Sequence, residues 1–295
     1  MARTAFYPPA EVQPQVGEYL QNPSEVRSDL EALVNRRTIA DYAFSQGPAN
    51  NGAVVYDEVT GEVVGGERQA EVIAPGAEFP RIDDAAVEPK TAKVDKYGGE
   101  AAVTQESRDW NEWDVVRQKQ NLLRNRIISR VNAVCVNALT SNSNVRTYGV
   151  NDPWTSNADK IGDILRGLAL VSSTEELPYE ANLALIHPDD KAEFLLSRDI
   201  REQFPRESRD LNPVLDGGID GIAGVEWITT SAVSRGTIWG LERGTVGSVR
   251  DAGNGIQVNV YTEDKTQTSV IQAWRHIVPI ITNPKAAVRI TGFRD

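Results

Sequence analysis

Few residues of this chain are equipped for chemistry. His187 and His276 are its two histidines and Cys135 its one cysteine, a thin basis for a zinc site or for a nucleophile paired with a base. His187 stands in His187-Pro188-Asp189, which reads as a strand end followed by the opening of a helix, where Pro and Asp are favoured for structural reasons. The paired carboxylates Asp83-Asp84 and Asp189-Asp190 leave a Ca²⁺ or Mg²⁺ site open, but adjacent acids are far more often a solvated face. No GxxxxGK[ST] phosphate loop or GxSxG nucleophile elbow occurs. Gly253-Asn254-Gly255 has two glycines of a dinucleotide fingerprint and lacks the third, so a hairpin turn accounts for it better. Trp110 and Trp113, beside Arg108 and Arg117, could stack on bases, yet their helical spacing favours an apolar contact. No catalytic, cofactor-binding or metal-binding residue is therefore assigned, and no cofactor is expected.

The elements that would have to carry such residues are better defined. At 295 residues the chain can form one large or two modest domains, and its 40% hydrophobic and 25% charged residues are ordinary for a globular protein. Lys plus Arg total 31 against 42 Asp plus Glu, a net charge of −11, which argues against nucleic-acid binding as the main role. The longest apolar runs, such as Ile277 to Ile281, are too short for a membrane span, and the N-terminus lacks a signal-peptide core. One cysteine excludes an internal disulfide framework and fits a reducing compartment.

Residues 1 to about 22, with Pro8, Pro9 and Pro14, read as an extended arm. Asn22, Pro23 and Glu25 then open a helix whose stripe is Val26, Leu30, Leu33 and Val34. Residues 46 to 100 form a β-excursion around Thr60-Gly61 and Gly65-Gly66, with eleven acidic and five basic residues, or −6 of the total charge. Its few large apolar residues cannot make a core, so a partner should hold it. No Pro or Gly interrupts Trp110 to Leu139, where Trp113, Val116, Leu123, Ile127, Val131, Val134 and Ala138 mark one apolar face. Thirty residues of helix would be about 45 Å long, a spine several turns longer than the ordinary globular helix. Beyond it the pattern turns α/β: a helix over 158–171, a strand at 184–186, a helix over 189–196 and a charged loop over 197–224. Strands follow at 225–228, 237–239, 256–261, 270–281 and 286–290.

Three segments carry a family resemblance: Ala77-Glu78-Phe79-Pro80; Val94-Asp95-Lys96-Tyr97-Gly98 with Val103-Thr104-Gln105-Glu106; and Asn283-Pro284-Lys285-Ala286-Ala287-Val288-Arg289-Ile290-Thr291-Gly292. In this order and spacing the chain resembles, over nearly its whole length, the major capsid proteins of tailed bacteriophages, a fold shared with encapsulin shells and the herpesvirus capsid floor. The resemblance implies an α+β fold with four parts: an N-terminal arm (1–45), an extended β-loop (46–100), a peripheral domain with the spine helix (101–150 and 256–295), and an axial α/β domain (151–255). It implies no enzyme, but a subunit that self-assembles as hexamers and pentamers into an icosahedral shell around double-stranded DNA. The expected partners are further copies of the chain, a separate scaffolding protein, a portal and a decoration protein, with DNA enclosed without sequence-specific binding. The expected location is the virion, after assembly in the host cytoplasm.

Some members of that family cross-link a loop Lys to an Asn of a neighbour, but no Lys stands between Gln46 and Pro89 here. Two other readings remain: an encapsulin-type compartment, whose N-terminus would start with a compact helix, and a soluble α/β enzyme with an unrecognised carboxylate site.

Overall fold

A computed structural model describes residues 15–34, 38–49, 52–59, 72–73, 89–151, 153–154, 159–173, 179–195, 222–253 and 255–294. The architecture is organised by one helix and one strand. The N-terminal segment supplies helices α1 (Val16–Leu20), α2 (Pro23–Val34) and α3 (Ile39–Ala43), then strands β1 (Ser45–Pro48) and β2 (Ala53–Tyr56). The chain returns through β3 (Lys90–Lys93) and β4 (Asp95–Thr104) into a short helix α4 (Gln105–Asp109) and the spine helix α5 (Trp113–Ser141). Strand β5 (Arg146–Gly149), helix α6 (Lys160–Ser172), strand β6 (Leu183–Ile186) and helix α7 (Pro188–Leu195) follow. The last strands are β7 (Glu226–Thr229), β8 (Thr237–Leu241), β9 (Gly247–Asp251), β10 (Gln257–Glu263), β11 (Thr268–Ile281) and β12 (Ala287–Thr291).

Strand β11 is the axis of the first sheet. Along one edge it pairs antiparallel with β4, from Thr268 opposite Thr104 to Ile277 opposite Asp95. Along the other edge β10 and then β9 follow one another, and β1 adds parallel to β9. Period-2 alternation gives this sheet one dry face, with Ala101, Val103, Ile271, Ala273 and Ile277 buried against the spine. The spine presents Val116, Leu123, Ile127 and Val131 to them. Gly98 is required at its place, because a Cβ there would stand 2.5 Å from the Ala273 carbonyl oxygen.

The second sheet runs β5-β12-β8-β6-β7. Helix α6 lies on it, and Gly167 permits the contact, since a Cβ would come within 2.5 Å of Ile290 Cδ1. Asp159 caps this helix by accepting the Gly162 N–H at 3.0 Å.

Several expectations need correction. Val16–Leu20, expected within an extended arm, is helical, while residues 1–14 lie outside the described residues. The spine starts at Trp113, not Trp110, because Asn111 takes a left-handed backbone (φ 58°) that separates it from α4. Toward its end the buried stripe continues through Cys135 and Leu139; Val134 and Ala138 are half-buried. The segments 46–48 and 95–100, expected in the loop, are strands of the first sheet. Ala287–Thr291 pairs with β5 and β8 in the second sheet, and Gly247–Asp251 with β11 in the first. The division of the terminal strands between the two sheets thus follows pairing across the chain, which strand-by-strand reading of the sequence does not reveal.

Candidate assembly site

The N-terminal segment is fastened to the spine by side-chain amides. Asn111 Oδ1 accepts the Val16 N–H at 2.8 Å, Gln120 donates to the Tyr19 hydroxyl at 2.6 Å, and Asn132 Oδ1 accepts the Ile39 N–H at 2.7 Å. Gln120 and Asn132 are buried polar residues of the spine, about 120° apart around the helix. A buried amide left without partners costs stability, so these two specify where the arm docks as well as holding it. Tyr19 also packs on Trp113, their ring centroids 5.0 Å apart. Trp113 therefore makes the apolar contact expected of it, whereas Trp110 is 73% exposed on the subunit surface.

The loop leaves the body at a second fastening. Glu58 is only 3% exposed although it stands at the root of an excursion. Its Oε2 takes Lys90 from the returning strand, while Oε1 accepts Asn142 Nδ2 at 3.1 Å and Asn144 Nδ2 at 2.9 Å from the end of the spine. The Val59 N–H donates to the Thr282 carbonyl at 2.7 Å, tying the same point to the end of β11. Burial alone would raise the Glu58 carboxyl, but the hydrogen bonds from Lys90, Asn144 and Asn142 and the Lys90 charge outweigh it and hold it below the usual range. The hydrogen bond to Glu58 raises Lys90 in turn. A Lys and two Asn thus share one carboxylate. From this root β2 and β3 run as an antiparallel pair, with Val55 66% exposed. Of the loop beyond, only residues 72–73 are among those described, and Asp83-Asp84 and the Ala77–Pro80 motif fall outside them.

The residues weighed for chemistry are engaged structurally. His187 Nδ1 accepts the Asp189 N–H at 3.1 Å where β6 turns into α7. Asp189 meets Arg235 and stays half-exposed. Asp190, expected on a solvated face, is instead buried, accepting the Gly236 N–H at 2.8 Å and Arg294 Nη1 at 2.7 Å. It pins the C-terminal segment onto α7, a role that only the returning chain could disclose. Burial pushes the Cys135 thiol up to about 12, so it is inert at neutral pH. Asp251 and Arg275 form a buried pair at 2.6 Å across β9 and β11. Among the described residues no three His, Cys, Asp or Glu side chains gather as a metal site, and no helix is long and apolar enough to cross a membrane.

A sheet-and-spine body, an arm clamped along the spine and a loop rooted by a buried carboxylate define the architecture of a shell-forming subunit. A family model described as phage capsid protein matches residues 87–290, and the chain belongs to that family. It is a phage major capsid protein with the α+β capsid fold.

Solved structures agree on the fold. A virus-like particle from Pyrococcus furiosus aligns with a TM-score of 0.61 at 13% identity, covering 90% of this chain and 98% of that one. The capsid of cyanophage P-SCSP1u gives a TM-score of 0.60 at 11% identity, covering 88% of this chain and 89% of that one. The SrpI encapsulin complex from Synechococcus elongatus PCC 7942 gives 0.56 at 15% identity, with 85% of each chain covered. No curated protein sequence matches the chain.

Proposed function

We propose that this chain assembles as hexamers and pentamers into a closed icosahedral shell around double-stranded DNA, in the virion, after assembly in the host cytoplasm. The observation that carries the reading is the loop root: a buried Glu58 fixes the departure of a strongly acidic excursion that has too little apolar surface to fold on itself. Such a segment gains its ordering energy from other subunits. The division of labour follows, with the arm as residues 1–45, the loop as 46–100 with its ends 46–48 and 95–100 built into the first sheet, the peripheral domain as 101–150 with 256–295, and the axial domain as 151–255, the exchanged strands β9 and β12 stitching the last two together. A scaffolding protein, a portal and a decoration protein are its further partners. The chain acts mechanically and not as an enzyme.

The shell is held without covalent bonds, since no Lys stands between Gln46 and Pro89 to supply a nucleophile from the loop. Purified protein is expected to scatter light as megadalton particles, and boiling these in SDS should release one band near 32.4 kDa. A ladder of pentamer- and hexamer-sized bands would overturn the non-covalent part. Elution near monomer to tetramer would instead favour the soluble-enzyme reading.

A further inference from the structure

The chain is acidic, yet no Asp or Glu occurs in the 37 residues from Val115 to Asn151, while Arg117, Lys119, Arg124, Arg126 and Arg130 all stand on the spine within that stretch. At about 100° per residue, Arg117 and Arg124 fall on one flank of the helix, and Lys119, Arg126 and Arg130 on the other. Between the flanks runs a crest of exposed Gln118, Asn121, Leu122, Asn125 and Ser129, neutral and mostly hydrogen-bonding. Beside the crest lies a cleft of about 570 Å³ against the outer edge strand β7, lined by Asn125, Ser129, Thr229, Thr230 and Ser231 among others. Glu226 is the one carboxylate among its lining residues, and Arg243 stands 3.7 Å from it.

We propose that this face of the spine is the inner surface of the shell and lies against the phosphate backbone of the enclosed duplex, an inference that rests on the reading above. The charge arrangement selects this occupant. The exposed crest from Gln118 to Ser129 is about 17 Å long at 1.5 Å per residue, beyond which Asn132, Val136 and Leu139 on the same side are buried, and a duplex alongside it presents a phosphate charge about every 1.7 Å. Against so regular a polyanion an acid on the face is repulsive, and the crest has none from Val115 onward; Asp114, in the first turn of the helix, stands 3.7 Å from Arg117. Amides and hydroxyls between two cationic rows suit phosphate oxygens and read no base sequence. The acidic loop of another copy, residues 57–89 with nine acids and two arginines, carries charge of the same sign but sparsely, and would need pairing only at points. The face therefore gives the packaged polymer weak, evenly spread contacts within a shell whose other surfaces repel it.

The test is fluorescence anisotropy of a duplex of about 30 base pairs, titrated with soluble subunit between about 50 and 200 mM salt. Replacing Lys119, Arg126 and Arg130 together by Gln should weaken binding at least about tenfold at the lowest salt and reduce the log–log salt slope by about 3. Lys265→Gln, on the hairpin between β10 and β11, should change neither by more than about one contact's worth. Asn121→Glu with Asn125→Glu should weaken binding comparably, and it carries the test if the triple variant does not fold. Unchanged slope and affinity in the charge variant, or tighter binding of a synthetic 57–89 peptide than of the duplex, overturns the inference. Shell formation is scored separately: absence of shells from the unaltered protein defeats the proposed function, whereas shells with an unmoved slope defeat the inner-face assignment alone.

Discussion

Ile127→Ala is expected to abolish soluble subunits or their assembly, while Arg124→Ala leaves the subunit folded. Ile127 is 3% exposed in the middle of the spine, among Leu123, Val131, Ala101, Ile271 and Ala273 of one continuous core. Truncating a buried Ile to Ala costs about 2–5 kcal/mol through lost burial and the cavity left behind. A domain is stable by only about 5–15 kcal/mol in total, so this loss is a large fraction of it. Arg124, half-buried, is bonded among the described residues only to the exposed Asn125 next to it, at 3.1 and 3.0 Å. Its loss should cost about 0–1 kcal/mol and be felt as altered salt sensitivity of assembly. Soluble yield and thermal melting of the two variants decide it. If Ile127→Ala melts like the parent and Arg124→Ala does not fold, the wrong face of the helix has been assigned to the core.

Glu58→Ala is expected to free the root of the loop without unfolding the body. The substitution removes the acceptor for Lys90, Asn142 and Asn144 at once, and hydrogen bonds to a charged group are worth about 1.5–3 kcal/mol. Trypsin cleavage after Lys90 and Lys93 should accelerate, with the spine core still protected against hydrogen exchange. The same contact predicts a pH dependence. The carboxyl is held below its unfolded value of 4.5, so its stabilisation is present above that pH and is lost as pH falls through the lower, folded value. Hydrogen exchange of the Val59 and Val94 amides should therefore rise in acid before that of the core. Unchanged proteolysis in Glu58→Ala would show that other contacts fix the loop's direction.

Much of this was legible in the sequence, and what was missed has physical causes. The spine and its apolar face at Val116, Leu123, Ile127 and Val131 follow from an uninterrupted helical period, as do α2 and most terminal strands. The choice between Val134 with Ala138 and Cys135 with Leu139 was ambiguous, because steps of three and four residues fit a helix equally well. The deciding contact is Asn132 with Ile39, which brings α3 in from the other end of the sequence. Strand β9, Gly247–Asp251, has one large apolar residue and becomes a strand only because β11 and β1 flank it. The first strand of the loop root could be read from Val54-Val55-Tyr56, but nothing local marks Glu58 as buried. Its three partners come from residues 32 to 86 positions away. The acid-free stretch of the spine, by contrast, is visible in the bare sequence; the structure adds which side chains share a flank.

A negative-stain micrograph of the purified protein tests the central claim most directly. The account predicts closed, roughly spherical shells of uniform size, with five- and six-fold clusters of subunits on their surface. A field of discrete particles no larger than a tetramer, from folded protein at concentrations and salt that favour assembly, would contradict it.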